Sequence, residues 1–220
     1  MPLSRKHLGL IGAATALALA APLTAQMAPE KPGARDAARI TGGTYAVDNE
    51  HTLVRWRVDH FGITPYFGIF GQVTGSLTLD PKNPAAAKVD VTIPVAKVTT
   101  ASPGLTEHLL KAPEQPDGKP DFFGANPADA RFVSTAVVPD TAAGKARITG
   151  NLTVNGVTRP VTLDASFYGA GKTSPEMGGV EMIGFEATSQ IKRSDFGITT
   201  VIPMVSDEVD LEIVAAFTKQ

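Results

Sequence analysis

Along most of this chain the apolar residues fall at every second position. From Leu53 to Asp59, Val54, Trp56 and Val58 lie on one side, and Arg55, Arg57 and Asp59 on the other. A period of two is that of a strand with one buried face. After a loop rich in Gly, Pro and aromatics, Val73, Gly75, Leu77 and Leu79 alternate with Thr74, Ser76, Thr78 and Asp80. The two runs predict a hairpin with matched inward faces.

The alternation recurs downstream. Val89, Val91, Ile93 and Val95 share one face of a strand in which Pro94 marks an edge or a bulge. Phe132, Ser134, Ala136 and Val138 share the next face. The strongest hairpin runs from Lys145 to Phe167. Ile148, Gly150, Leu152 and Val154 lead into Asn155-Gly156, and Val161, Leu163, Ala165 and Phe167 return. Asn-Gly suits a two-residue turn because both positions need positive φ. Phe185, Ala187 and Ser189, then Val209, Leu211, Ile213 and Ala215, give the last two inward faces. One helix is predicted, capped by Ser102, started by Pro103, carrying Leu105 and Leu109 on one side and stopped by Pro113.

About eight strands with little helix between them form an antiparallel sheet. One continuous apolar face closes most simply into an all-β, up-and-down barrel, with the short helix and its loop over one end. A two-layer sandwich is the alternative. At 220 residues such a fold is a single domain.

The N-terminus breaks this pattern. Arg5, Lys6 and His7 precede an apolar run from Leu8 to Ala21, and small residues allow cleavage after Ala25 or Ala21. Residues 1–25 read as a secretory signal, so the protein is expected to be exported; the run is too short and too Ala-rich for a good membrane span. Residues 26–43, rich in Ala, Pro and Gly, read as a disordered lead-in, and 44–220 as the barrel domain. With no Cys, disulfides, thiol chemistry and a lipoprotein anchor are all excluded. Removing 1–25 deletes two basic residues, so 18 basic and 22 acidic residues remain, a net charge of -4. No nucleic-acid partner is implied.

An eight-stranded barrel is at the size where side chains either fill the lumen or leave room for a ligand. The inward positions include Gly75, Ala136, Gly150, Ala165, Ala187, Ser189 and Ala215. Large aromatics gather near strand ends instead: Phe61, Tyr66, Phe67, Phe70, Phe122, Phe123 and Phe196. Small residues inside with aromatics at one mouth suit a long apolar guest. A five-carbon isoprene unit buried there contributes about 3–4 kcal/mol, less the cost of immobilisation.

Seven segments in order resemble the YceI-like family: TLVRWRVDHFG from Thr52, the Gly68–Phe70–Val73–Gly75 run ending SLTLD, HLL with DFFG, RFVSTAVV, GNLTVNGVTRPVTL, IKRSDFG and VSDEVDLEI. The resemblance runs from about Tyr45 to the C-terminus. It implies a lipocalin-like barrel that binds polyisoprenoid chains, such as quinone tails or isoprenoid lipids, non-covalently and without a further cofactor. Thr106-Glu107 stands where the family often has Arg-Asp, and Asn126-Pro127 where it often has an aromatic-Pro pair. Both departures are placed near the mouth and bear on head-group preference.

The expected ligand contacts are Val54, Trp56, Val58, His60, Phe61, Phe67, Phe70, Leu77, Leu109, Phe122, Phe123, Phe132, Leu152, Phe167, Phe185 and Phe196. No catalytic and no metal-binding residues are expected. His51, His60 and His108 lack the spacing of metal ligands. Asp195-Phe196-Gly197 matches a kinase tripeptide by letters only, and reads as a bend in which Arg193 and Asp195 form a corner. No nucleophile elbow is present. A binding or carrier protein is therefore expected. The rivals are an enzyme using His60 or His108 as acid–base, and a stress-protective protein with a filled core. The Phe122-Phe123 loop either covers the mouth or pairs two copies.

Overall fold

A computed structural model describes residues 31–220; the expected signal segment 1–25 lies outside the described residues. In chain order the strands are β1 Gly33–Ala34, β2 Gly43–Val47, β3 Leu53–His60, β4 Thr64–Phe70, β5 Thr74–Leu79 and β6 Lys88–Ile93. They continue with β7 Ala130–Asp140, β8 Lys145–Val154, β9 Val157–Lys172, β10 Glu181–Lys192 and β11 Glu208–Lys219. The helix α1, Pro103–Leu109, is capped as expected by the Ser102 hydroxyl, which accepts from the Leu105 N–H.

Antiparallel pairing runs β2–β5–β6–β7–β8–β9–β10–β11 and back to β2, which closes a barrel. β3 continues the β2 position along the edge of β11: Val47 pairs with Phe217, and further along Leu53 pairs with Val214. β4 and β5 divide the next position in the same way. The break between β2 and β3 is filled by Thr52, whose buried hydroxyl donates to the Ala216 carbonyl and accepts from the Ala216 N–H, both at 3.1 Å. A side chain thus replaces the missing ladder bonds at this break.

The strand faces follow the sequence pattern except where a bulge adds a residue. In β7 Ser134 pairs with Gly150 and Ala136 with Thr149, so Thr135 is extra. The parity flips beyond it: Ala136 and Val138, expected inward, are exposed, and Val137 and Pro139 face the lumen. Tyr168 is extra in β9 and turns outward. The corner at Arg193–Phe196 is real but differently built. Buried Arg193 donates to the carbonyls of Ser206, Ile198 and Val205, while Ser194 binds Asp207. Asp195 is exposed and takes no part.

Residues 31–43, the described part of the lead-in expected to be disordered, are partly ordered. From Gly33 they carry a short strand paired with β9 and a tight turn at Ala37–Arg39. Their partner is the Gly169–Gly171 stretch of β9, which no local periodicity reveals.

Candidate functional site

The two ends of the barrel differ. At one end lie the β3–β4 turn, α1, the Phe122–Phe123 segment and the Arg193–Phe196 turn. Here Trp56, Val98, Leu109 and Val209 are buried together, with Val58, Tyr66, Phe70, Phe122 and Phe123 packed on them. Val73, Ile93, Val95 and Ala130 form the adjoining layer. Phe132, Leu152, Val161 and Phe196 complete it. Phe70 meets Phe123 edge-to-face at 5.9 Å between ring centres. The Trp56 ring lies over Gly68, where a Cβ would collide with it. This end is a plug. Its one orphan polar atom among the described residues is the indole Nε1 of Trp56.

Above the plug the lumen is hollow, with a cavity of about 320 Å³. That is the lower end of the roughly 300–1,000 Å³ found for small-molecule sites. Its wall is built by alternate residues of every barrel strand: Val54 on β3, Leu77 and Leu79 on β5, Val89 and Val91 on β6, and Phe132 and Val137 on β7. Ile148 and Leu152 on β8 and Leu163, Ala165 and Phe167 on β9 carry it round. Phe185 and Ala187 on β10 and Ile213 and Ala215 on β11 close it. Nearly all of this surface is apolar. The mouth lies between the loop carrying Pro81, Pro84 and Ala87, the β7–β8 turn with Thr141, Gly144 and Lys145, and the N-terminal turn with Ala37 and Ile40.

Of the expected contacts, Val54, Leu77, Phe132, Leu152, Phe167 and Phe185 line this cavity. Trp56, Val58, Phe70, Leu109, Phe122, Phe123 and Phe196 belong to the plug beneath it. His60 and Phe61 are exposed at the β3–β4 turn, in edge contact at 4.5 Å. Phe67 is on the outer face, under the Arg55 guanidinium at 5.0 Å from its ring centre. The aromatic cluster therefore marks the closed end and not the mouth. Aromatic rings at strand ends serve a plug as well as a rim, and only the packing of distant loops decides between them. Phe122 and Phe123 are half-buried and pack on the plug. The departures at Thr106-Glu107 and Asn126-Pro127 sit with α1 and its loop, away from the mouth.

The small inward residues also divide. Ala165 and Ala187 are direct partners across β9 and β10, and with Ala215 they face the cavity. At Gly150 the Phe132 ring occupies the place of a Cβ, and at Gly75 the backbone of Asp90 and Val91 does so. The Ser189 hydroxyl donates to the Thr162 carbonyl at 2.8 Å, just past the end of the β9–β10 ladder.

One polar cluster at the open end was not legible as a site. Glu181, buried at the start of β10, accepts from the Thr41 N–H at 3.0 Å, the Thr41 hydroxyl at 2.7 Å and the Tyr45 hydroxyl at 2.6 Å. Burial pushes its carboxyl up, but these donors and the nearby Lys219 ammonium hold it below the usual carboxylate range. Tyr45, fully buried, is pushed up to about 12 by burial and then by its bond to the Glu181 carboxylate. His108 pairs with Asp121 at 2.9 Å on the surface beside α1. Among the described residues no cluster of His, Asp and Glu is arranged to hold a metal ion.

Comparison with known proteins agrees with this architecture. A family model described as the YceI-like domain matches residues 45–217. Protein YceI of Escherichia coli O157:H7 is 41% identical over 172 residues, covering 77% of this chain and 83% of that protein. The crystal structure of Burkholderia cenocepacia BcnA superposes with a TM-score of 0.63 at 26% identity, over 77% of this chain and 98% of that one. A polyisoprenoid binding domain from Saccharophagus degradans gives a TM-score of 0.52 at 14% identity, over 80% of this chain and 98% of its own, a likeness of fold alone. The match begins at Tyr45 in β2 and ends at Phe217 in β11, so it spans the whole barrel circuit, and this chain belongs to the YceI-like family.

Proposed function

We propose that the protein is a periplasmic binding and carrier protein that holds an isoprenoid-type lipid or a quinone tail non-covalently in the barrel lumen. The observation that carries this reading is the cavity of about 320 Å³ with an almost wholly apolar wall and one open end. Apolar surface that the fold leaves uncovered gains about 25 cal/mol per Å² when a hydrocarbon covers it. Apart from Thr52, Thr141, Ser166 and Lys145, the side chains of the wall are hydrocarbon, which favours holding a chain over reacting with it. Among the described residues, Lys145, at the mouth, is the one charged residue of the lining. His60 and His108, the acid–base candidates of the enzyme reading, lie at the plugged end, outside the cavity wall. A filled core, which the stress-protective reading needs, fits the plugged half only.

The family relation supports the same reading, and the Saccharophagus protein is named for polyisoprenoid binding. Location rests on the Arg5–Ala25 pattern. The test is organic extraction of the protein purified from its native source, followed by mass spectrometry. A long apolar molecule recovered in near-stoichiometric amount is expected. Repeated recovery of none would overturn the reading.

A further inference from the structure

The family match starts at Tyr45, yet the cavity wall does not. Ala37 and Ile40, which precede it, line the open end. They belong to an arm, residues 33–40, that crosses from β9 to the start of β2. Apart from Ile40 at its near end, which packs against the buried cluster of Tyr45, Leu77, Ile183 and Phe217, the arm is lightly held. Its strand pairs only Gly33 with Gly171 and Ala34 with Ala170, and its turn, capped by Asp36, buries no residue. Segments with few buried apolar contacts and exposed backbone bonds are the ones that open locally.

The seat for this arm is nevertheless built into the barrel. A Cβ at Gly171 would run into the Pro32 carbonyl, and one at Gly169 would approach the Ala34 carbonyl at 3.1 Å. Neither glycine has a positive φ, so the backbone of β9 does not require them. The close approach of the arm does. The near end of the arm is pinned. Thr41 donates twice to buried Glu181, and Lys219 donates to the Thr41 hydroxyl and the Gly42 carbonyl. Gly42 and Gly43, with φ of +79° and +109°, follow the pin.

We infer that residues 33–40 are a gate over the cavity, pivoting at the Thr41–Glu181 pin. Lifting it breaks the β1–β9 pairing and withdraws Ala37 and Ile40 from the wall. The gate sets how fast an apolar guest enters and leaves, and so determines residence time in the site proposed above, on which this inference rests. It lies N-terminal to the segment matched by the family model.

Two variants move the gate in opposite directions. Gly171→Ala unseats the arm without straining β9. Ala34→Cys combined with Ala170→Cys locks it, and because the chain has no other Cys, oxidation reports on that pair alone. Release of the neutral probe N-phenyl-1-naphthylamine is followed by stopped-flow fluorescence. About tenfold faster release is expected for Gly171→Ala and about tenfold slower release for the oxidised pair, with reduction restoring the wild-type rate. Rates equal within about twofold in all forms would overturn the gate. Hydrogen exchange of the 33–40 amides, measured without probe, separates this inference from the binding reading. Arm amides that exchange faster than those of β8 in the wild type, and slow down on oxidation, support the gate even where the probe fails to bind. Arm amides as protected as those of β8 would overturn it, whatever the probe does.

Discussion

Ala187 offers the most direct test of a hollow interior. It faces the cavity from β10, directly opposite Ala165 on β9 and Ile213 on β11. Ala187→Leu adds three carbons to that space. In a lumen with room for them the added carbons bury surface at about 0.8 kcal/mol each, up to about 2.4 kcal/mol of added stability. In a lumen already filled the same carbons overpack, and stability falls by about 1–3 kcal/mol. The sign of the change therefore decides between the two states without any ligand. Urea unfolding followed by the fluorescence of the single Trp reads it, provided the slope of the transition is unchanged. The same carbons displace part of any guest. Losing contact with three buried methylenes weakens binding by about 2.4 kcal/mol, or about fiftyfold in Kd. A variant that is less stable and binds an apolar probe as tightly as the wild type would refute the hollow lumen.

The plug responds differently. Leu109→Ala, 5% exposed in the wild type, removes packing from a closed core and is expected to cost about 2–5 kcal/mol in urea unfolding while leaving probe affinity unchanged. Gly68→Ala drives a methyl into the Trp56 ring; a loss of about 1–3 kcal/mol is expected, with a shifted Trp emission maximum as its signature. Tyr45, pushed up to about 12, stabilises the fold fully below the ordinary tyrosine value near 10, and that contribution is lost as pH rises from there through 12. Two pKa units correspond to about 3 kcal/mol, so urea midpoints should fall over this window in the wild type and stay flatter in Tyr45→Phe.

The period of two in β3, β5, β8 and β9 fixed which residues face inward, because burial on one face of a strand leaves a mark on every second residue. Asn155-Gly156 placed the β8–β9 turn for the same local reason. Alternation puts Val138 on the inner face, but the bulge at Thr135 inserts one residue without a change in composition and reverses everything beyond it in β7. Phe122, Phe123 and Phe196 were placed at a mouth because a strand-end aromatic carries no record of whether loops from elsewhere will cover it. The order of the arm at 33–40 does not show in its own residues, which are mostly small or polar and aperiodic. Its order is encoded in Gly169 and Gly171, whose meaning depends on a segment far away in the chain. Inward-facing positions on regular strands are thus legible, and the choice of open end is not.

That choice has a thermodynamic consequence. In closed protein cores, lost packing costs about 24 cal/mol per Å³ of cavity, so 320 Å³ corresponds to at most about 8 kcal/mol of stability not realised. A domain of this kind has only about 5–15 kcal/mol in total. Leaving both ends hollow would also forfeit the packing around Trp56, Leu109 and Phe196, and the barrel would lose the interior that holds it closed. One end must be solid for the other to stay empty. The uncovered wall is in turn what a guest can gain from, so saturation at about a hundred times Kd should raise stability by about 2.7 kcal/mol. A blind lumen also sets the direction of entry. For the isoprenoid-type guest proposed above, the tail would go in first against the plug and leave the head group at the mouth, where Pro84, Thr141 and Lys145 lie. The guest's orientation then follows from which end is packed, and needs no charged contact inside the lumen.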